Sequence, residues 1–201
     1  QTQFLKEKLI GHMEVDSYGL TSIASLYYDT PDYQLIRTSI EKPPFKEKMR
    51  LRSYGLAKDE STVFLELKRK ADKIVYKRRV PTTINSVERF FKGEGDICAD
   101  GQIAREIRYF RDYYKRLVPQ CLIIYDRVAY FEKDGDLRLT IDHDPRYRVE
   151  DLNLTTSMEG IPLLPPGYTI LEIKVQQAMP LWLTHILDEG HIYKGTFSKY
   201  G

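Results

Sequence analysis

Residues 46–55 read KEKMRLRSYG. At the two-residue period of a β-strand, Lys46, Lys48, Arg50 and Arg52 share one face, while Glu47, Met49 and Leu51 share the other. A face that only needs water mixes its signs, because like charges this close repel. Cations set side by side on one face need an anion to neutralise them. That need limits what the strand can lie beside.

The same phase recurs along the chain. In VFLELKRK, residues 63–70, Phe64, Glu66, Lys68 and Lys70 oppose Leu65 and Leu67. Further on, Tyr125 runs in phase with Arg127, Arg138 with Thr140, and Glu172 with Lys174, while most acids fall in helices and loops. The net charge is only +2, so these cations act by local concentration. A sheet with one apolar face packed on helices can leave the other face solvated, as an open antiparallel sheet. It can also roll that face inward as a barrel with a charged lumen. The sign bias favours the barrel, and such a density of cations suggests phosphate as the neutralising group. The expected fold class is therefore α+β: an antiparallel β-barrel with a charged lumen and helices packed outside.

Other elements follow from periodicity and punctuation. Phe4, Leu5, Leu9 and Met13 keep helical spacing until Asp16 and Gly19 break it. The chain opens at Gln1, already inside this helix, so a preceding segment is expected. A short strand covers 23–30, and Asp29 or Thr30 caps a helix opened by Pro31 and running to about Ser39. Asp72-Lys73 forms a turn into a strand at 74–80, which Pro81 ends. Helices are expected at 86–92 and 102–117. The second has Asp100 as its cap and one buried stripe of Ile103, Ile107, Phe110 and Tyr114. Strands at 121–131 and 136–142 flank the hairpin signal Lys133-Asp134-Gly135. A strand at 168–175 precedes a helix that opens near Pro180 and carries Leu181, Trp182, Leu183, Ile186 and Leu187. No repeat or linker composition interrupts the chain, which reads as a single domain over 1–201.

A content of 42% hydrophobic residues can bury a core, yet no apolar run is long enough for a bilayer and no signal-peptide pattern is present. Cys98 and Cys121 fit no metal or redox spacing and read as buried thiols of a reducing, cytoplasmic compartment. Asp142-His143-Asp144 invites a metal reading, but a strand ending before Pro145 explains it more simply. His12, His185 and His191 are scattered, Tyr109, Tyr113 and Tyr114 read as packing, and Lys77 and Arg79 are either rim contacts or a solvated face. Stacking aromatics do not interleave with the cations, so no nucleic-acid partner is expected.

Seven stretches in order, SLYYDTPDYQLIR, KEKMRLRSYG, FLELKRK, YDRVAYF, LRLTID, ILEIK and FSKYG, resemble the VTC domain, the polyphosphate polymerase domain of the vacuolar transporter chaperone family. The resemblance runs from about Ser25 to the end of the chain. It implies the triphosphate tunnel metalloenzyme fold, a single tunnel domain whose antiparallel strands enclose charged side chains. It also implies that Arg50 and Arg52 grip phosphates, with Lys68 and Glu66 on the neighbouring wall. Tyr125, Arg127 and Arg138 would bind the transferring or adjacent phosphates, and Lys48, Lys70 and Lys174 would add phosphate contacts. Glu172 would ligate Mn²⁺ or Mg²⁺, and Ser198 and Lys199 would close the site.

The implied reaction moves the terminal phosphoryl group of ATP onto a growing polyphosphate chain and releases ADP. The family's first strand, with its tunnel lysine, lies ahead of the helix that opens this sequence and is not in it. Two alternatives stay open. One is a hydrolase of the same fold, which would carry more tunnel glutamates than Glu66 and Glu172. The other is a non-catalytic receptor for polyphosphate or inositol phosphates, in which Glu172 is only an ion-pair partner of Lys174. Lys48, Arg50, Arg52, Lys68, Arg127, Arg138, Glu172 and Lys174 are expected on one concavity, with Met49, Leu51, Leu67 and Ile173 behind them.

Overall fold

Alternating polarity builds strands, and the strands dominate. A computed structural model describes residues 1–72, 74–97 and 99–201; the expected turn residue Lys73 and the thiol Cys98 lie outside them. In order the elements are α1 (Thr2–Leu9), β1 (Glu14–Asp29), α2 (Gln34–Ile40), β2 (Phe45–Tyr54), β3 (Val63–Ala71), β4 (Ile74–Thr82), α3 (Ile84–Lys92), α4 (Gly101–Tyr114), β5 (Val118–Phe131), β6 (Arg138–Arg148), β7 (Ile161–Pro162), β8 (Ile170–Lys174) and α5 (Leu181–Glu189). No helix among the described residues is long and apolar enough to cross a membrane.

The strands form one eight-stranded sheet in the order β4-β3-β2-β1-β5-β6-β7, with β8 also on β6. The pairs β1–β2, β2–β3, β3–β4 and β6–β8 are antiparallel. Among the described residues the pairing path begins at β4 and ends at β7, and no pairing between these two makes the expected barrel closure. One physical reason is in β4 itself. Pro81 lies within this strand, opposite Phe64, and has no N–H to offer a further neighbour.

Several boundaries differ from the pattern. β1 starts at Glu14, so Asp16 and Gly19 belong to a strand rather than to a helix end; Gly19 supplies φ 57°, which a β-branched residue would resist. β6 continues through Pro145 to Arg148. Pro31 does not open α2. Tyr33, at φ 61°, is the N-cap, and Thr30 Oγ1 accepts from the Gln34 N–H at 2.9 Å. Asp29 caps the same helix, accepting from Leu35 N–H at 2.8 Å and Ile36 N–H at 3.0 Å. Asp100 holds the N-cap position of α4 without a side-chain bond, and Thr83 caps α3.

Contacts group the chain into two compact units. One comprises Ser22–Ile124, Arg146–Ile161 and Lys199–Gly201, and is called here the β2–β4 unit; the other comprises Gln1–Thr21, Tyr125–Pro145 and Pro162–Ser198, the β8 unit. In the β2–β4 unit the apolar face of β2 and β3, with Met49, Leu51, Leu65 and Leu67, packs on Val87 and Phe90 of α3 and Ile107 and Phe110 of α4. These side chains are completely or almost completely buried, each contributing roughly 1.5–3 kcal/mol of transfer free energy. Ile103 and Tyr114 of the α4 stripe pack partly against the same core. In the β8 unit, Leu5 and Leu9 of α1 and Leu183 and Ile186 of α5 pack on Tyr130, Leu139 and Ile141, with Ile173 partly buried beside them.

Charge is also built into the packed face. Glu47, in phase with Met49 and Leu51, forms an ion pair with Arg69 directly opposite and accepts from the Tyr114 hydroxyl at 3.1 Å. Burial and the Glu47 charge hold that hydroxyl above its ordinary range. Arg69 and Arg78 both reach Glu106 of α4, at 3.3 and 3.1 Å. Glu47 thus ties β2 and β3 to α4. Glu47→Ala leaves Arg69 facing a buried gap and is expected to cost roughly 3 kcal/mol in urea unfolding. A loss under about 1 kcal/mol would place the pair with ordinary solvated ones.

Candidate phosphate-binding site

Register brings the cations of three strands into rows. Tyr27, Arg50, Glu66 and Arg79 stand side by side across β1, β2, β3 and β4. Next to them Lys48, Lys68 and Lys77 form a second row, and Lys46 opposite Lys70 begins a third. Arg52 faces Ser25 on one side and Phe64 on the other.

Glu66 is the centre of this face. Its side chain is 1% exposed, and four cations surround it: Arg50 at 2.7 Å, Lys77 at 2.9 Å, Arg79 at 3.7 Å and Arg52 at 3.8 Å. Burial alone would raise its pKa; the Arg50, Arg52 and Lys77 charges overcome that and hold the carboxyl at about 2. Arg50 also donates to the Tyr27 hydroxyl at 3.1 Å, and Arg52 to Ser25 Oγ at 3.3 Å. Arg79 lies 3.5 Å over the Phe64 ring and donates to the Tyr54 hydroxyl at 3.3 Å.

The strain of so much like charge is visible in two neighbours. Burial pushes the Lys48 ammonium below its ordinary pKa, and the charges of Lys46, Lys68 and Arg50 push the same way against Tyr27. Burial would raise the Tyr27 hydroxyl, but the charge and hydrogen bond of Arg50, with Arg52 and Lys48, bring it below the usual range. A polyanion would relieve both.

A second cluster lies in the β8 unit. Asp142 is fully buried and holds Arg127 with two bonds, 2.6 Å to Nε and 2.9 Å to Nη2. The Arg127 guanidinium lies 5.1 Å from the centre of the buried Tyr125 ring. Although burial acts to lower its pKa, the Asp142 bonds dominate and raise it further. On the β6–β8 ladder, Arg138 faces Lys174 and Thr140 faces Glu172. Glu172 is half-exposed, 3.2 Å from Lys174 and 3.9 Å from Arg127.

The expected residues therefore fall into two sets. Lys48, Arg50, Arg52, Lys68 and Lys70 share the face of β2 and β3, with Met49, Leu51 and Leu67 buried on its other side. Tyr125, Arg127, Arg138, Glu172 and Lys174 belong to the β8 unit, as does Ser198, while Lys199 belongs to the β2–β4 unit. A cavity of about 440 Å³ in the β8 unit, lined by Gln1, Thr2, Ile141, Tyr168, Thr169 and Ile192 among others, contains none of them. Sequence reasoning missed Asp142 as the partner of Arg127, although its phase with Arg138 and Thr140 could have revealed it. It also missed Tyr27, whose place opposite Arg50 only the register shows.

Among the described residues no group of three or more His, Cys, Asp or Glu side chains could hold a metal ion. Glu172 offers one carboxylate with solvent access. That donor fits a hard divalent ion which brings phosphate oxygens as its other ligands, and does not fit an all-protein cage.

The fold, an antiparallel sheet with helices packed on it, is shared with a solved structure. A crystallised protein from Bacillus halodurans, described as a candidate adenylate cyclase, superposes with a TM-score of 0.55 over 98% of this chain and 89% of that one, at 13% identity. The VTC domain model matches residues 1–201, and the chain belongs to the VTC domain family. It is 25% identical over 226 residues to the vacuolar transporter chaperone complex subunit 4 of Schizosaccharomyces pombe, a match covering 89% of this chain. The chain spans 31% of that protein's length.

Glu66 makes stability acid-sensitive. Its carboxyl falls from an ordinary 4.5 to about 2 on folding, so its contribution is complete above pH 4.5 and is lost as pH drops through 2. The contribution is on the order of 3 kcal/mol. Urea unfolding between pH 5 and pH 2.5 should therefore show a steeper loss for the parent than for Glu66→Gln. Equal slopes would remove Glu66 as the source.

Proposed function

We propose that this chain is a phosphotransferase domain that extends polyphosphate, taking the terminal phosphoryl group of ATP and releasing ADP. The observation that carries the reading is the cation-dense face of β2 and β3, where the single carboxylate Glu66 is already enclosed by Arg50, Arg52, Lys77 and Arg79. Membership of the VTC domain family supports the choice of polyphosphate over other polyanions.

The chemistry asks mainly for positioning and charge stabilisation. A terminal oxygen of the chain attacks the γ-phosphorus of ATP, a new P–O bond forms, and the bond to the β–γ bridging oxygen breaks as ADP leaves. Arg50 and Arg52, held by Glu66, present fixed guanidinium groups to phosphate oxygens. Lys48, Lys68 and Lys70 supply point charges that let a polyanion shift along them. Within the β8 unit, Arg127, oriented by Asp142, and Arg138 offer further guanidinium groups to phosphate oxygens. Bound at Glu172, Mn²⁺ or Mg²⁺ would neutralise charge on phosphate oxygens and help to orient them.

A second reading is a polyphosphate-binding module without catalysis, favoured by the 3.2 Å pair of Glu172 with Lys174. Glu172→Gln separates the two. Under the first reading, Mn²⁺-dependent ADP release and polymer on a gel disappear while polyphosphate still binds. Undiminished synthesis would remove Glu172 as metal ligand, and a parent that binds polyphosphate without making it would favour the module. Orthophosphate without polymer would point to hydrolysis.

Binding itself is tested on the arginines. Replacing Arg50 and Arg52 together with alanine should weaken triphosphate binding by several kcal/mol, roughly 2–5 per desolvated pair. The parent's affinity should fall steeply with salt. A change under about 0.5 kcal/mol would assign both to an ordinary surface.

A further inference from the structure

The segment after α5 has neither helix nor strand, yet Tyr200 is fixed within it. Its ring stacks on Tyr27 at 4.5 Å and 12°, and its hydroxyl donates to Asp29 Oδ2 at 2.8 Å. Lys48 Nζ lies 5.9 Å from the centre of the same ring. Asp29 is immobile: it is 0% exposed and also accepts from the N–H groups of Thr30 at 2.7 Å, Leu35 at 2.8 Å and Ile36 at 3.0 Å. Tyr27, beneath the ring, in turn accepts from Arg50.

We infer that Tyr200 is a positioning residue for Lys199: its bond to Asp29 and its stack on Tyr27 fix the backbone from which Lys199 reaches bound phosphate. The inference rests on the reading of Lys199 as a phosphate ligand. A lysine carries a flexible four-carbon stem, and on an irregular segment its backbone is free as well. Binding phosphate through it would have to order both. Tyr200 removes the backbone part in advance, which is the general gain of preorganisation. Burial and the adjacent Asp29 charge raise the Tyr200 hydroxyl above its usual pKa, so it stays a proton donor to Asp29 across neutral pH.

Tyr200→Phe removes the hydroxyl and keeps the ring. Binding of inorganic tripolyphosphate, measured by calorimetry at one ionic strength, is compared among the parent, Tyr200→Phe, Lys199→Ala and the double variant. Tyr200→Phe should weaken affinity about fivefold to tenfold, the net scale of a single intramolecular hydrogen bond. Lys199→Ala should weaken it at least as much, and the double variant should bind like Lys199→Ala alone, because Tyr200 then has nothing left to position. The same loss from Tyr200→Phe in both backgrounds would make the tyrosine merely structural and overturn the inference. So would unchanged affinity in either single variant. A parent that fails to bind tripolyphosphate would overturn the functional reading itself, and the inference with it. Hydrogen exchange gives a second reading: in Tyr200→Phe the Lys199 amide should lose protection while Leu35 and Ile36 keep theirs. Unchanged protection at Lys199 would overturn the inference as well.

Discussion

The buried Glu66 carboxylate is what allows the cationic face to exist in a folded protein. Arg50, Arg52, Lys77 and Arg79 come from two strands on either side of it, and without a shared counter-charge their repulsion would act directly on the β2–β3–β4 ladder. One carboxylate cannot neutralise all of them, however. It orients the guanidinium groups of Arg50 and Arg52, and four cations around one carboxylate are the arrangement on which the proposed anion binding rests. Such a centre is weak evidence for stability as such, because its desolvation opposes its Coulombic gain. Its value lies in fixing direction.

The two faces of β2 and β3 solve the same problem in opposite ways. On the packed side, Glu47 and Glu106 balance Arg69 and Arg78, and Tyr114 completes the polar contacts. On the other side acids are scarce. A strand such as KEKMRLRSYG therefore carries Glu47 with its partners on the packed face and four cations on the other, separated by the backbone of the sheet. This division separates the packed face from the face proposed to bind a ligand. Substitutions on the two faces should be read with different assays.

Much of this was legible in the chain. Two-residue alternation located β2, β3 and β8, the Lys133-Asp134-Gly135 signal located the β5–β6 hairpin, and Asp29 and Thr30 were both recognisable as caps. Local pattern failed where tertiary partners decide. Gly19 looked like a break, yet β1 runs through it at a positive φ that glycine tolerates. Pro145 looked like a strand end, yet β6 passes through it. The open sheet was one of two arrangements the alternation allowed, and sign bias alone argued for the other. At the site, residue types and phases were readable, but the choice of Glu66 as a shared centre, and of Asp142 as the grip on Arg127, depends on register between strands far apart in the chain.

The outer side of β4 carries a consequence of a different kind. A strand at the end of a sheet exposes backbone groups that can template another strand, and such edges invite self-association. Here Lys77, Arg78 and Arg79 run along that strand and Pro81 lies at its end, so two copies meet charge against charge before any backbone bond can form. The protection is electrostatic, and the polyanions this face is suited to hold would neutralise it. Under the proposed function, self-association would then follow the ratio of polyanion to protein and not protein concentration alone.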